Sequence, residues 1–120
     1  MKASKTMNVW LWIAQGLLAA ALLLTGFMKL FQPQALPFPW VKELPQLVVL
    51  TGVADILGGI GIILPAILRI RPGLVVLAAY GIIALMAAAM VFHIARGEAA
   101  SIGFNIFMTV VAGFVAWGRR

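Results

Sequence analysis

The sequence has no cysteine, one histidine and only three acidic residues in 120. Without cysteine the chain alone supports no disulfide exchange, no thiolate metal site and no covalently attached haem. A single histidine excludes a bis-histidine haem within one chain and leaves that geometry only to a dimer. Phosphate loop, nucleophile elbow and catalytic triad are all missing. Charged residues make up 10% of the chain and hydrophobic ones 64%, with a mean hydropathy of +1.11. A soluble domain this short has too much surface to hide so much apolar side chain. The environment that accepts it is a lipid bilayer.

The net charge of +6 does not indicate nucleic acid. Its basic residues form no stripe, but sit singly or in pairs at the ends of apolar runs, as topology signals do. Four such runs are long enough to suggest spans, at about 9–29, 47–68, 74–93 and 102–117, the last of them short. They fill the chain, so the expectation is a single all-α domain over 1–120, an integral membrane four-helix bundle. Lys2 and Lys5 precede the first run as in a signal peptide. That run is longer than a usual signal core and no small-x-small cleavage site follows, so it reads as a retained helix. Lys2, Lys5, Arg69, Arg71, Arg119 and Arg120 fall on one side of the membrane, and Lys29, Lys42 and Arg96 on the other. Six against three places both termini in the cytoplasm of a multi-pass protein of the inner (plasma) membrane. Trp10, Trp12 and Trp117 then mark one interface and Trp40 the other.

Between the first two spans, "LFQPQALPFPWVKELPQL" (30–47) carries Pro33, Pro37, Pro39 and Pro45, which rule out a continuous helix. Phe38, Trp40 and Leu44 make it apolar enough to rest on the bundle, either as a stiff connector or as a lid over an outward cavity.

Asp55 stands out in "VADILGGIGIILP" (Val53–Pro65). A carboxylate near the centre of a membrane helix costs about 2.5–3.5 kcal/mol on insertion scales. It lies about 12 Å along its helix from Leu47, within the outer half of the hydrocarbon. Gly52, Asp55, Gly59 and Ile62 share one face, and Gly58 and Gly61 extend the small-residue surface on which membrane helices approach. On the first helix Gln15, Leu22, Gly26 and Lys29 share a face, with Thr25 beside them. The third brings His93 to the outer boundary above Met86 and Met90. The fourth sets Asn105 just below it, followed by Thr109, Ala112 and Ala116. Each of the four helices thus delivers one polar group, Lys29, Asp55, His93 or Asn105, to the same half of the membrane. Arg96 and Glu98 lie just above, and the inner half holds little beyond Gln15 and Tyr80. Two readings stay open: a Lys29–Asp55 ion pair that only staples the bundle, or a polar site that receives a ligand or a proton. Asp55, His93 and Glu98 show no ligand spacing, so no metal site is expected.

These same stretches carry a family resemblance. "TGFMKLFQP" (Thr25–Pro33) resembles the G-x-x-K-L…P signature of the DoxX-like membrane proteins. "ADILGGIGIILP" resembles the acidic, Gly-rich, Leu-Pro segment of that family's second helix, with Asp55 where glutamate is usual. His93 in "VFHIARGE" matches a histidine at the end of the third helix, and Asn105 a polar position on the fourth. The resemblance implies a four-helix membrane bundle. It also implies links to quinone-reactive sulfur oxidation, to membrane oxidoreductase complexes or to receptor assembly.

The leading expectation is an accessory or ligand-binding subunit of a membrane redox system. It would hold a quinone or lipid-like molecule in an outward pocket made by Lys29, Asp55, His93 and Asn105, with Met28, Met86, Met90 and Phe92 along its apolar part. Histidine is the side chain suited to proton exchange near neutrality. No electron-carrying cofactor is encoded, so a partner redox subunit would supply it, and nothing supports stand-alone catalysis. The alternatives are a membrane assembly factor or structural subunit packed on partner helices, and a small transporter built as a homo-oligomer.

Overall fold

The computed structural model describes residues 4–36 and 40–120. Lys2, Pro37, Phe38 and Pro39, and the side chain of Trp40, lie outside what is described, and so do the expectations placed on them.

All regular structure among the described residues is helical. α1 (Lys5–Phe31) begins at Ser4, whose hydroxyl accepts the Met7 N–H at 3.1 Å and so satisfies one unpaired donor of the first turn. It stops at Gln32, because the residue before a proline, here Pro33, is steered out of the helical region. A 3-10 turn at Pro33–Ala35 and one turn of helix, α2 (Trp40–Glu43), follow. The prolines therefore break this connection into short turns without making it wholly irregular. α3 (Pro45–Ile67) and α4 (Pro72–Ala95) each open on a proline at a first-turn position, where a missing N–H costs little. A 3-10 turn at Ala99–Ile102 leads into α5 (Gly103–Arg119).

Three helices are long and apolar enough to cross a membrane: Lys5–Phe31, Pro45–Ile67 and Gly73–Ala95. α5, with 17 residues, spans about 25 Å at 1.5 Å per residue, short of a hydrocarbon core of about 30 Å.

α1 packs along α3, α4 along α5, and the two pairs close against each other through α3–α4 and α1–α5. The α1–α3 seam is close because glycines line it. A Cβ at Gly26 would sit 2.9 Å from the Gly52 carbonyl oxygen, and one at Gly59 2.9 Å from Leu23. The faces read from helical spacing are the buried ones: Gln15, Leu22 and Gly26 on α1, and Gly52, Asp55, Gly59 and Ile62 on α3. α4 is apolar on every side and buries Val75, Ala79, Ile82 and Met86. α5 buries Asn105, Met108, Ala112, Val115 and Ala116.

This core fills the half of the bundle nearest the two termini. Large apolar side chains such as Leu24, Leu57, Leu77 and Val110 point outward, as lipid-facing surfaces require.

The terminal end holds more polar structure than Gln15 and Tyr80 suggest from sequence. Gln15 is fully buried and donates to the Ile62 carbonyl of α3 at 2.7 Å. Its Oε1 accepts from Arg119 Nε at 2.8 Å, and Arg119 Nη1 donates to Asn8 at 2.7 Å. The guanidinium also stacks over Trp12. The last turn of α5 is thereby tied to α1 and, through Gln15, to α3. Tyr80 is exposed instead.

Candidate functional site

At the opposite end, where the two longer connections lie, the helix pairs leave a cavity of about 350 Å³. That volume falls at the lower end of small-molecule pockets. Lys29, Asp55, His93 and Asn105 all line it, one from each long helix.

The turn geometry that ends each helix sets these groups in place. Lys29 stands in the last turn of α1, and its Nζ lies 2.9 Å from Asp55 Oδ2 across the glycine seam. Asp55 is 3% exposed and the Lys29 side chain 15%. The Thr25 hydroxyl is 3.2 Å from both Asp55 Oδ2 and the Leu22 carbonyl and can donate to either. Both polar contacts of Asp55 therefore fall on Oδ2; among the described residues Oδ1 accepts no hydrogen bond.

α4 closes with a Schellman turn: Glu98 N–H donates to His93 O at 2.7 Å and Gly97 N–H to Ile94 O at 3.1 Å. The turn needs Gly97 at φ +76°, a left-handed conformation open to glycine at no steric cost. The same turn folds Glu98 back over the helix end, so that its Oε1 lies 2.9 Å from His93 Nδ1. Because an ionised carboxylate only accepts, Nδ1 carries the hydrogen and Nε2 is the ring nitrogen left for the cavity. Arg96 donates to Glu98 Oε2 at 3.3 Å and to Glu43 on α2, and lies over the Phe92 ring. Val41 of α2 is buried against Val48, Leu47 and Phe92, so α2 rests on two residues of the cavity wall.

Asn105 is 7% exposed, and its side chain makes one hydrogen bond among the described residues, from Nδ2 to the Met86 thioether at 3.4 Å. Of the apolar lining read from sequence, Met86 and Phe92 reach the cavity, whereas Met28 and Met90 do not line it and Met90 packs on the core. Thr51 lines it without having been singled out by sequence. Its hydroxyl bonds the Leu47 carbonyl at 2.9 Å, the usual behaviour of a threonine inside a helix, so its type alone gives no signal. Among the described residues no group of three or more His, Asp or Glu side chains is placed to hold a metal ion.

The loop-end ion pairs set an acid limit. A hydrogen bond from His93 first, and then the hydrogen bond and charge of Arg96, hold the Glu98 carboxyl below its ordinary range. Folding lowers this pKa, so on acidification the unfolded chain takes up the proton first. The contribution of the network is complete above the ordinary glutamate range and is lost as pH falls through the lowered folded-state value. We expect the thermal midpoint of the solubilised protein to drop in that window. In Glu98→Gln the acid limb should flatten; an unchanged limb would mean that another carboxylate controls it.

The fold and this arrangement define a small multi-pass helical membrane protein with a polar cavity near one end of the bundle. The chain belongs to the DoxX-like family, whose model matches residues 13–115. No curated protein and no solved structure matches it.

Proposed function

We propose that the protein is a binding or accessory subunit of a membrane redox system, and that its cavity holds a hydrophobic molecule with a polar head, quinone-like or lipid-like. The observation that carries this reading is the convergence of one polar side chain from each of the four long helices on a single, otherwise apolar cavity. Apolar walls with a few polar groups at fixed positions are the usual make-up of small-molecule sites. In this reading α5 serves as the fourth membrane helix, its short length completed by the 3-10 turn at Ala99–Ile102. The six basic residues near the termini and the Arg69–Arg71 turn, against three at the cavity end, favour cytoplasmic termini in the inner membrane. The cavity then faces outward. A quinone held there would place a ring oxygen near His93 and Asn105, and electrons would come from a partner subunit.

Native mass spectrometry of the mildly solubilised protein, with identification of any retained small molecule, tests the reading. Ala89 lines the cavity and is not part of its polar set. Wild type should retain a defined amphiphile, and Ala89→Phe, which fills the space, should lose most of it while remaining folded. If the wild type is empty and Ala89→Phe changes nothing, the cavity is not a binding site.

A second reading rests on the 2.9 Å Lys29–Asp55 contact. A pair this short, reinforced by Thr25, suits a structural staple in a membrane assembly factor or structural subunit. Co-purification of a stoichiometric membrane partner with an empty cavity would favour it.

A further inference from the structure

We propose that the cavity selects uncharged amphiphiles whose head group carries a hydroxyl donor. This rests on the binding reading above and specifies its ligand class. Two properties of the site lead to it, its charge balance and the kind of hydrogen-bond valence it leaves open.

Inside the cavity the charges cancel. Lys29 and Asp55 neutralise each other at 2.9 Å inside the cavity. At its rim one cation, Arg96, bridges two carboxylates, Glu43 and Glu98, and Glu98 accepts from His93, so these groups leave no excess positive charge at the entrance. An anionic head entering near Lys29 also meets Asp55, and a cationic head near Asp55 also meets Lys29. Neither recovers in attraction what it loses in hydration, because a charge taken from water into apolar surroundings needs a partner of its own. An uncharged head carries no such cost.

The open valence most costly to leave unmet is an acceptor, the second oxygen of the buried carboxylate. Asp55 Oδ1 accepts nothing among the described residues, while Lys29 and Thr25 both address Oδ2. Asn105 donates through Nδ2 to Met86, and its carbonyl oxygen makes no bond among the described residues. The Thr51 hydroxyl donates to the backbone of its own helix, leaving only lone pairs. Asp55 and Asn105 are both more than nine-tenths buried, so what accessible surface they keep lies in the cavity, where an occupant would meet them. A ligand that satisfies them must bring donor hydrogens, which an uncharged quinone-like or lipid-like head supplies as O–H. A head group bearing only carbonyl or ether oxygens could accept from the second Asn105 Nδ2–H but would leave Asp55 Oδ1 without a donor. Among quinone-like molecules the site therefore favours the hydroxyl-bearing form, and among lipids those ending in an alcohol.

The test uses four diazirine-bearing probes of one alkyl chain length, ending in an alcohol, a methyl ether, a sulfonate or a trimethylammonium group. Photolabelling is read by mass spectrometry at the cavity residues of the full-length protein in nanodiscs of uncharged lipid. The alcohol should label the wild-type cavity about tenfold more than each of the other three, a ratio that one well-placed charged hydrogen bond can supply. Asp55→Asn leaves Lys29 without its counter-charge and should raise sulfonate labelling to at least that of the alcohol. Lys29→Met/Asp55→Asn restores neutrality and should return the sulfonate to its low wild-type level. Equal labelling by alcohol and ether would overturn the donor requirement. Preference of the wild type for either charged probe, or an Asp55→Asn ranking like that of wild type, would overturn the charge argument. In both cases labelling that Ala89→Phe suppresses would leave the binding reading standing. If no probe labels the wild-type cavity, the binding reading fails and the selectivity fails with it.

Discussion

Lys29→Met should lower the unfolding free energy by about 3–5 kcal/mol, the range found when one partner of a buried ion pair is removed. The cost falls on the residue left behind. Asp55 lies ten residues into α3 and is 3% exposed, so the only water that could reach its carboxylate is what the cavity admits. Thr25 is its remaining donor, and that hydroxyl is shared with the Leu22 carbonyl. The reverse deletion should be milder. In Asp55→Asn the charge that loses its carboxylate is Lys29, two residues before the end of α1 and with 15% of its side chain exposed, so the ammonium can extend to the interface on its flexible stem. A loss of about 1.5–3 kcal/mol is expected there, that of a hydrogen bond to a charged group. The double variant Lys29→Met/Asp55→Asn should be more stable than Lys29→Met alone, because the buried charge is gone. Reversible unfolding of the four proteins in mixed micelles gives the cycle. Equal single effects that add in the double variant would show that the two side chains do not depend on each other, and would remove the staple reading with them.

That asymmetry follows from features legible in the chain itself. A charged residue inside an apolar run is conspicuous, and the 3.6-residue period assigns it a face. On α1 Gly26 shares a face with Lys29, and on α3 Gly52 and Gly59 share one with Asp55, so spacing places both charges on inward faces but leaves open whether they meet. Asn105 and His93 were visible for the same reason. α4 shows the limit of this approach. Its residues are apolar all round, and nothing in their order separates the stripe of Val75, Ala79, Ile82 and Met86 from the lipid-facing surface. Which methionines face the cavity was therefore not readable, and two of the three expected there do not line it.

Contacts between distant segments were hidden for a different reason. Arg119 reads as a terminal topology charge, and only the packing of α5 on α1 brings it to Gln15, 104 positions earlier. α2 escaped notice because a single helical turn between prolines has no period to detect. The link from Arg96 to Glu43 depends on that turn, 53 residues away in sequence.

Gly26→Ala should destabilise the bundle by about 1–3 kcal/mol, the usual cost of forcing a methyl group into a packed interior, although alanine is the better helix former. The added Cβ would lie 2.8 Å from Ile56 Cγ1 and Cδ1 and 2.9 Å from the Gly52 carbonyl oxygen. Ile56 can rotate away; the carbonyl belongs to the α3 backbone and cannot move without the helix. The helices must therefore separate at this level. Gly26 lies one turn below Lys29 and Gly52 one turn above Asp55, so the separation acts directly on the ion pair. The pair should lengthen and the cavity widen, and the substitution should couple to Lys29→Met: combined, the two losses should fall short of their sum. Gly16 provides the control, since a Cβ there meets nothing within 4 Å, and Gly16→Ala should be neutral or slightly stabilising in the same helix. If Gly26→Ala proves as harmless as Gly16→Ala, the α1–α3 seam is looser than its geometry implies. The distance between Lys29 and Asp55 is then not set by glycine packing, and the ion pair itself must hold the two helices together.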